Sequence, residues 1–365
     1  MSESAKDPQA HDAYRQAGVD IDAQDRALEE VKVLARGTFT PGVLTEVGSF
    51  GGLFRPDLNG LEEPVLVSSA DGVGTKLMVS AMVGDYSTVG HDLVNHCVND
   101  ILVQGARPLF FMDYVGAGVL DPSKVVDLVR GVSAGCRENG CALLGGETAE
   151  MPGFYRPGDY ELVGFIVGLA DRQNLLDGSR VQVGDTLIAL PSAGLHTNGY
   201  SLARRVFFEI LGLSVESPLP GGDSTVGRRT VGQELLAPHL SYLDCISPLL
   251  GDEALHAMAH ITGGGLTDNL PRSLPDGARA VVDLDSWQVP EVFQLLVGAG
   301  RVSGEEAFRV FNMGVGMVLF VAASEQERVL AHLRSMGTAP WVLGSVEQGA
   351  DGEAVVYRGG SGAGH

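Results

Sequence analysis

Apolar residues in this chain fall into short runs with two alternating spacings. Ala27, Val31 and Leu34 recur at helical spacing, which predicts a helix over Asp22 to Arg36. Thr38 to Gly60 is glycine-rich and irregular, and a loop of that length is either functional or mobile. Strand and helix patterns then alternate. Strands are predicted at Pro64–Ala70, Pro108–Val115, Cys141–Leu144 and Leu162–Leu169, with helices at Thr88–Gln104 and Pro122–Asn139. A second unit opens with a strand at Thr186–Leu190. Helices are predicted at Asn198–Leu211, Gly232–Leu250, Val289–Ala299 and Ser324–Met336, and strands at Ala278–Leu284, Val310–Val321 and Trp341–Val346. The expected fold class is therefore α+β, with two α/β domains at 1–170 and 171–346 and a break near the polar stretch Ala170 to Gly184. Residues 1–20 are expected to be mobile or loosely docked. Residues 347–365 are expected to be a largely flexible, glycine-rich tail, in which only Ala354 to Tyr357 reads as a short edge strand.

The 365 residues carry a net charge of −21. No basic stripe is visible, so nucleic acid is not an expected partner. Glycine reaches 50 residues, clustered beside strand-like runs, which suggests tight turns and close backbone-to-ligand approaches. Cys97, Cys136, Cys141 and Cys245 form no Cys-x-x-Cys pair, so buried reduced thiols are expected. The polar N-terminus reads as no signal peptide, and the apolar run Met313–Ala323 is too short to span a bilayer. A soluble, cytoplasmic protein is the expectation.

The most informative segment is Ser69-Ala70-Asp71-Gly72-Val73-Gly74-Thr75-Lys76, at the exit of a predicted strand. Asp71 can bind a divalent cation through oxygen. Gly72 and Gly74 permit close backbone approach, and Lys76 can face a phosphate. The spacing is not that of a P-loop, because Leu77 stands where a magnesium-binding hydroxyl would be needed. A plain turn is the alternative reading.

Four further segments carry candidate chemistry. Asp92, His96, Asn99 and Asp100 form a polar strip on one predicted helix, either a solvated face or a pair of carboxylates able to share a cation. Glu147 and Glu150 follow a strand directly, as a turn or as ligands of a second cation or a hydroxyl. His196 lies in a loop before a helix that Thr197 or Asn198 can cap, placed to meet a phosphate or carry a proton. Gly263, Gly264 and Gly265 precede a short helical stretch and expose N–H groups as a phosphate nest.

In this order, the segments resemble the phosphoribosylformylglycinamidine cyclo-ligase family, the aminoimidazole ribonucleotide synthetases of purine biosynthesis. The likeness runs from about Tyr14 to Val346 and includes Tyr14–Ile21, Pro108–Tyr114 and Gly145–Gly153. Single motifs are shared with ATP-using relatives such as selenophosphate synthetase and thiamine-monophosphate kinase. The first would need a reactive cysteine in an early glycine-rich loop, and the second an early aspartate cluster; neither is present here. A regulatory nucleotide binder is the non-catalytic alternative. Ala70 stands where the family often has Thr, and Asn95-His96 where Ala-Met is expected.

The resemblance implies an N-terminal domain that gives strands to a barrel shared across a homodimer, with the C-terminal domain covering the site. It implies ATP and Mg2+. The γ-phosphoryl group would pass to the formyl oxygen of formylglycinamidine ribonucleotide; an amine nitrogen would then close the imidazole ring. Carried onto these positions, Asp71, Lys76 and His196 are the catalytic candidates. Gly72, Val73, Gly74, Thr75, Lys76 and Asp100 would bind nucleotide, Gly263, Gly264 and Gly265 would hold the substrate phosphate, and Asp71, Asp100 and Glu147 would bind metal.

Overall fold

The computed structural model describes residues 21–221, 229–349 and 352–360. The elements run α1 (Ile21–Arg36), β1 (Pro64–Gly72), α2 (Lys76–Val83), α3 (Ser87–Leu102), β2 (Arg107–Ala117), α4 (Pro122–Glu138), β3 (Ala142–Glu150) and β4 (Tyr160–Asp171). These are followed by β5 (Thr186–Pro191), α5 (Tyr200–Arg204), α6 (Val231–Leu235), α7 (Leu243–Ile246), β6 (Leu255–His260), α8 (Gly265–Asn269) and β7 (Ala278–Asp283). The last are α9 (Glu291–Gly300), α10 (Gly304–Val310), β8 (Val315–Val321), α11 (Gln326–Ser335), β9 (Trp341–Gln348) and β10 (Val355–Arg358).

Two mixed sheets organise the chain. The first has the order β1-β4-β2-β3, and the second β10-β7-β9-β5-β8-β6. On the first sheet, Ser69, Ile166 and Phe111 are aligned across β1, β4 and β2 and face α3 and α4. The two helices touch at glycine: a Cβ on Gly131 would fall on the Ser87 carbonyl oxygen, so no larger residue fits that crossing. The opposite face carries Ala70, Phe165 and Met112 in one row, with Leu66 further along β1. Phe165, Met112 and Leu66 are solvent-exposed.

The halves interlock. Val79 of α2 packs into the core formed by α5, α6, α9 and α10, and Leu102 of α3 into the core beneath β5, β6 and β8. All four cysteines are free and buried. No helix among the described residues is long and apolar enough to cross a membrane.

Several elements differ from the pattern-based expectation. The single helix expected over Gly232–Leu250 is broken: α6 ends at Leu235, and the chain runs irregularly through Pro238 before α7. Strand β6 escapes the hydrophobic pattern, because its alternation places His256 and His260 among small apolar residues. The strand expected from Val310 begins at Val315, and Gly304–Val310 is a helix capped by Ser303. The short edge strand expected at Ala354–Tyr357 is present: β10 pairs in parallel with β7 at the sheet edge, and Tyr357 stacks on Phe308 with centroids 4.6 Å apart. The expectations for residues 1–20 lie outside the described residues.

Candidate functional site

A cavity of about 790 Å³ opens between β1 and α3 on one side and the β6–α8 loop on the other. Asp71, His96, Asp100, Asn198, His260 and Gly263 line it, and Arg272 is its one lysine or arginine among the described residues. Alternation along β1 turns Ser69 and Asp71 to the helix side, where Ser69 Oγ donates to Asp100 Oδ2 at 3.0 Å.

The polar strip of α3 is buried, and it carries the docking of residues 237–242. Asp92 Oδ1 accepts from the His239 N–H at 2.6 Å, and Asn99 Oδ1 from the Tyr242 N–H at 3.1 Å. Asn95 and Asn99 donate to the carbonyls of His239 and Leu240, each at 2.8 Å. A solvated face is thereby excluded. These side chains replace the helix hydrogen bonds that Pro238 denies the segment.

At the cavity end of the strip, carboxylates and imidazoles interleave. His96 Nε2 lies 2.7 Å from Asp71 Oδ2 and 3.7 Å from Asp100 Oδ2, and His260 Nδ1 lies 2.8 Å from Asp100 Oδ1. Burial works against the charged form of both carboxyls, but the imidazole partners outweigh it and hold Asp71 and Asp100 below the usual carboxylate range. For His96, burial is again outweighed, by the hydrogen bond to Asp71 and the charges of Asp100 and Asp71, and its pKa rises. For His260 burial prevails, and its pKa falls despite Asp100.

Several expectations raised by the motifs change here, each for a physical reason. Lys76 is fully buried and does not face the cavity. Its Nζ pairs with Asp92 at 2.7 Å and donates to the carbonyls of Ala237 and His196 at 2.9 and 3.1 Å. His196 is buried with φ +58° and stacks on His239 at 4.0 Å. Burial, reinforced by nearby His260 and Lys76, drives its pKa well down, and the ring does not line the cavity. Glu147 is not brought to Asp71. Asp71, Gly164, Asp113 and Gly146 align across the four strands, so the β3 edge lies three strand spacings, roughly 14 Å, from Asp71. Glu147 lines a separate cavity of about 350 Å³ beneath α1 and cannot share a cation with Asp71 and Asp100 within one chain.

Gly72 ends β1, the Val73 N–H donates to the Leu162 carbonyl, and Thr75 Oγ1 meets Ser201 Oγ at 3.3 Å. The Gly72–Thr75 run therefore ties β1 to α5 and α2, and none of its four residues lines the cavity wall. Of the three glycines, Gly263 reaches the cavity, Gly264 sits at φ +96° before α8, and Gly265 is buried with its N–H on Thr262 O at 2.9 Å. Sequence reasoning missed His260, His239 and Arg272 as site residues. The one available signal for His260 is its place at the end of an apolar run, directly before the glycines. Neither Thr197 nor Asn198 caps α5; Gly199 occupies that position, and Asn198 faces the cavity instead.

Comparison with known proteins agrees with this architecture. Residues 58–170 match the family model described as AIR synthase related protein, N-terminal domain, and residues 182–357 the corresponding C-terminal domain. The phosphoribosylformylglycinamidine cyclo-ligase of Trichlorobacter lovleyi is 50% identical over 92% of this chain and 94% of its own. Among solved structures, thiamine-monophosphate kinase from Stenotrophomonas maltophilia aligns with a TM-score of 0.67 at 20% identity, covering 91% of this chain and 95% of that one. Hydrogenase maturation protein HypE in complex with ATP aligns at 0.63 and 19% identity, covering 92% and 90%. These two share the fold. Identity at the level of the first relative, over nearly the whole of both chains, establishes more: this chain belongs to the phosphoribosylformylglycinamidine cyclo-ligase family.

Proposed function

We propose that the protein closes the imidazole ring of 5-aminoimidazole ribonucleotide from formylglycinamidine ribonucleotide, using ATP and releasing ADP and phosphate, and that the cavity between β1, α3 and the β6–α8 loop holds the reacting phosphates. The observation that carries this reading is the convergence on one cavity of Asp71, Asp100, Gly263 and Arg272 in a chain of this family. Phosphoryl transfer asks a protein chiefly for positioning and charge neutralisation. Asp71 and Asp100 offer oxygen atoms on either side of His96 Nε2, a donor set that fits a divalent cation. They would hold magnesium, which supplies neutralising charge at the phosphates. The N–H groups of Gly263 and Gly264 have no acceptor among the described residues, and Arg272 has no ion-pair partner among them; together they suit an anionic group. Lys76 acts from inside, holding the chain at Ala237 and His196 in place behind the cavity wall.

A homodimer completes the reading. The exposed row of Ala70, Phe165 and Met112, with Leu66, is an apolar sheet face that a second copy would cover, consistent with a barrel built from two such sheets. A biosynthetic enzyme of this kind is expected in the cytoplasm. The test follows ADP and the aminoimidazole product together in the presence of magnesium and both substrates. Equal yields of the two, with little ADP when the ribonucleotide is omitted, support ring closure. ADP formed without imidazole overturns it.

A further inference from the structure

We propose that His96, His260, Asp100 and Asp71 form a binding site for a divalent ion of borderline softness, of the zinc or cobalt type, which the protein takes up without nucleotide. The inference rests on the reading above in giving Asp71 and Asp100 to a cation, and it departs from that reading in the class of ion. His96, His260 and Asp100 each offer one ligand atom, and the three atoms lie within 4.8 Å of one another; Asp71 Oδ2 is 2.7 Å from His96 Nε2. An ion bound tetrahedrally at about 2.0–2.2 Å holds its ligand atoms about 3.3 to 3.6 Å apart, so the His96–Asp71 and His260–Asp100 pairs, at 2.7 and 2.8 Å, have to open by under about 1 Å to admit it.

The outer atoms of the ligands are already engaged. His96 Nδ1 meets Thr197 Oγ1 at 2.6 Å, and His260 Nε2 meets His239 Nε2 at 3.1 Å. His239 is itself held by Asn99 at 3.3 Å and Thr197 at 3.4 Å, and Ser69 donates to Asp100. Such contacts fix ring orientation and ligand basicity in metal sites. Both imidazoles are buried on regular elements, α3 and β6, while the cavity gives an entry path. Imidazole nitrogen favours ions of the zinc and cobalt type, whereas magnesium prefers oxygen and keeps its waters. Each ring coordinates as neutral imidazole, so a charged ring gives up one proton on uptake while a neutral ring only moves its proton to the outer nitrogen.

The test titrates cobalt(II) chloride into the full chain without nucleotide and reads the visible ligand-field absorption. One equivalent should bind, and millimolar magnesium should not remove it. His96→Met should weaken binding at least about tenfold, and Thr197→Val, which keeps all four ligands, should weaken it less while preserving the band. Circular dichroism verifies that the variants are folded; should His96→Met fail to fold, the wild-type stoichiometry, the magnesium competition and Thr197→Val decide. Absence of the band, displacement by equimolar magnesium, or an unchanged affinity in a folded His96→Met protein would overturn the proposal. Because the titration contains no nucleotide, a failure to bind cobalt counts against this proposal and not against the ring-closure reading, and cobalt binding by a protein that forms no imidazole would overturn only the earlier reading.

Discussion

Lys76 Nζ lies 2.7 Å from Asp92 Oδ2, and neither side chain has any solvent exposure. The pair joins the first turn of α2 to α3, and through the lysine's carbonyl acceptors it anchors the chain at His196 and Ala237. Burial lowers the lysine pKa and raises that of the carboxyl, each opposed by the other's charge. Lys76→Met would leave a buried carboxylate without its counter-charge, at a cost of about 3–5 kcal/mol. The double variant Lys76→Met/Asp92→Asn should recover part of that loss. Urea unfolding of the two proteins checks this; a double variant less stable than the single would show that the pair is not the main energetic link.

Asp71→Asn keeps the size of the side chain and removes one formal charge from the proposed cation site. Activity with magnesium should fall by about 100-fold, the scale on which a lost electrostatic contact acts in a transition state. Steady-state turnover, with circular dichroism as the fold control, decides; a folded variant with wild-type turnover would remove Asp71 from the metal set.

Gly263 and Gly264 should respond differently to alanine. At Gly264, φ is +96°, so alanine there should cost about 1–3 kcal/mol in stability. At Gly263, a Cβ would sit 3.3 Å from Asn198 Oδ1 and beside the N–H groups facing the cavity. Gly263→Ala should leave the melting temperature nearly unchanged and raise KM for the ribonucleotide about tenfold, the loss of roughly one charge-assisted hydrogen bond. Melting curves and kinetics on both variants separate the two effects.

Asp113 lies on the helix face of β2 with no side-chain partner among the described residues, and burial pushes its pKa up to about 7. A carboxyl raised in the folded state contributes its full stability below its unfolded value, near 4, and loses it as pH rises through about 7. Asp113→Asn should therefore stabilise the protein at pH 8 relative to wild type and give no such gain at pH 4. Thermal melts at the two pH values test this; an equal effect at both would mean that Asp113 is ionised throughout.

The elements legible in the sequence are those whose periodicity is locally complete. The pattern places the start of α1 at Asp22 and the helix runs from Ile21; it places the start of α3 at Thr88 and the helix runs from Ser87; β1 starts at Pro64 as expected. What is not legible depends on partners far along the chain. The expected Gly232–Leu250 helix fails because Asp92, Asn95 and Asn99 hold residues 239–242 in an irregular path. The role of Lys76 changes because its counter-charge sits on the next helix and the carbonyls it reaches belong to the other half. Of the cluster proposed to bind a cation, Asp71 and Asp100 are readable from motifs. His260 is not, since only the meeting of β6 with α3 brings it to Asp100.

Strand β10 occupies the outer position of the six-stranded sheet, its backbone laid along β7 and Arg358 paired to Glu347 of β9. A chain ended after β9 would keep every residue of the cavity and still leave β7 with a row of unmatched peptide groups, a template for a strand from any other molecule. Strand β10, four residues long, covers the six-residue β7 and replaces its edge with a shorter one, so material trimmed there should lose solubility well before it loses its fold.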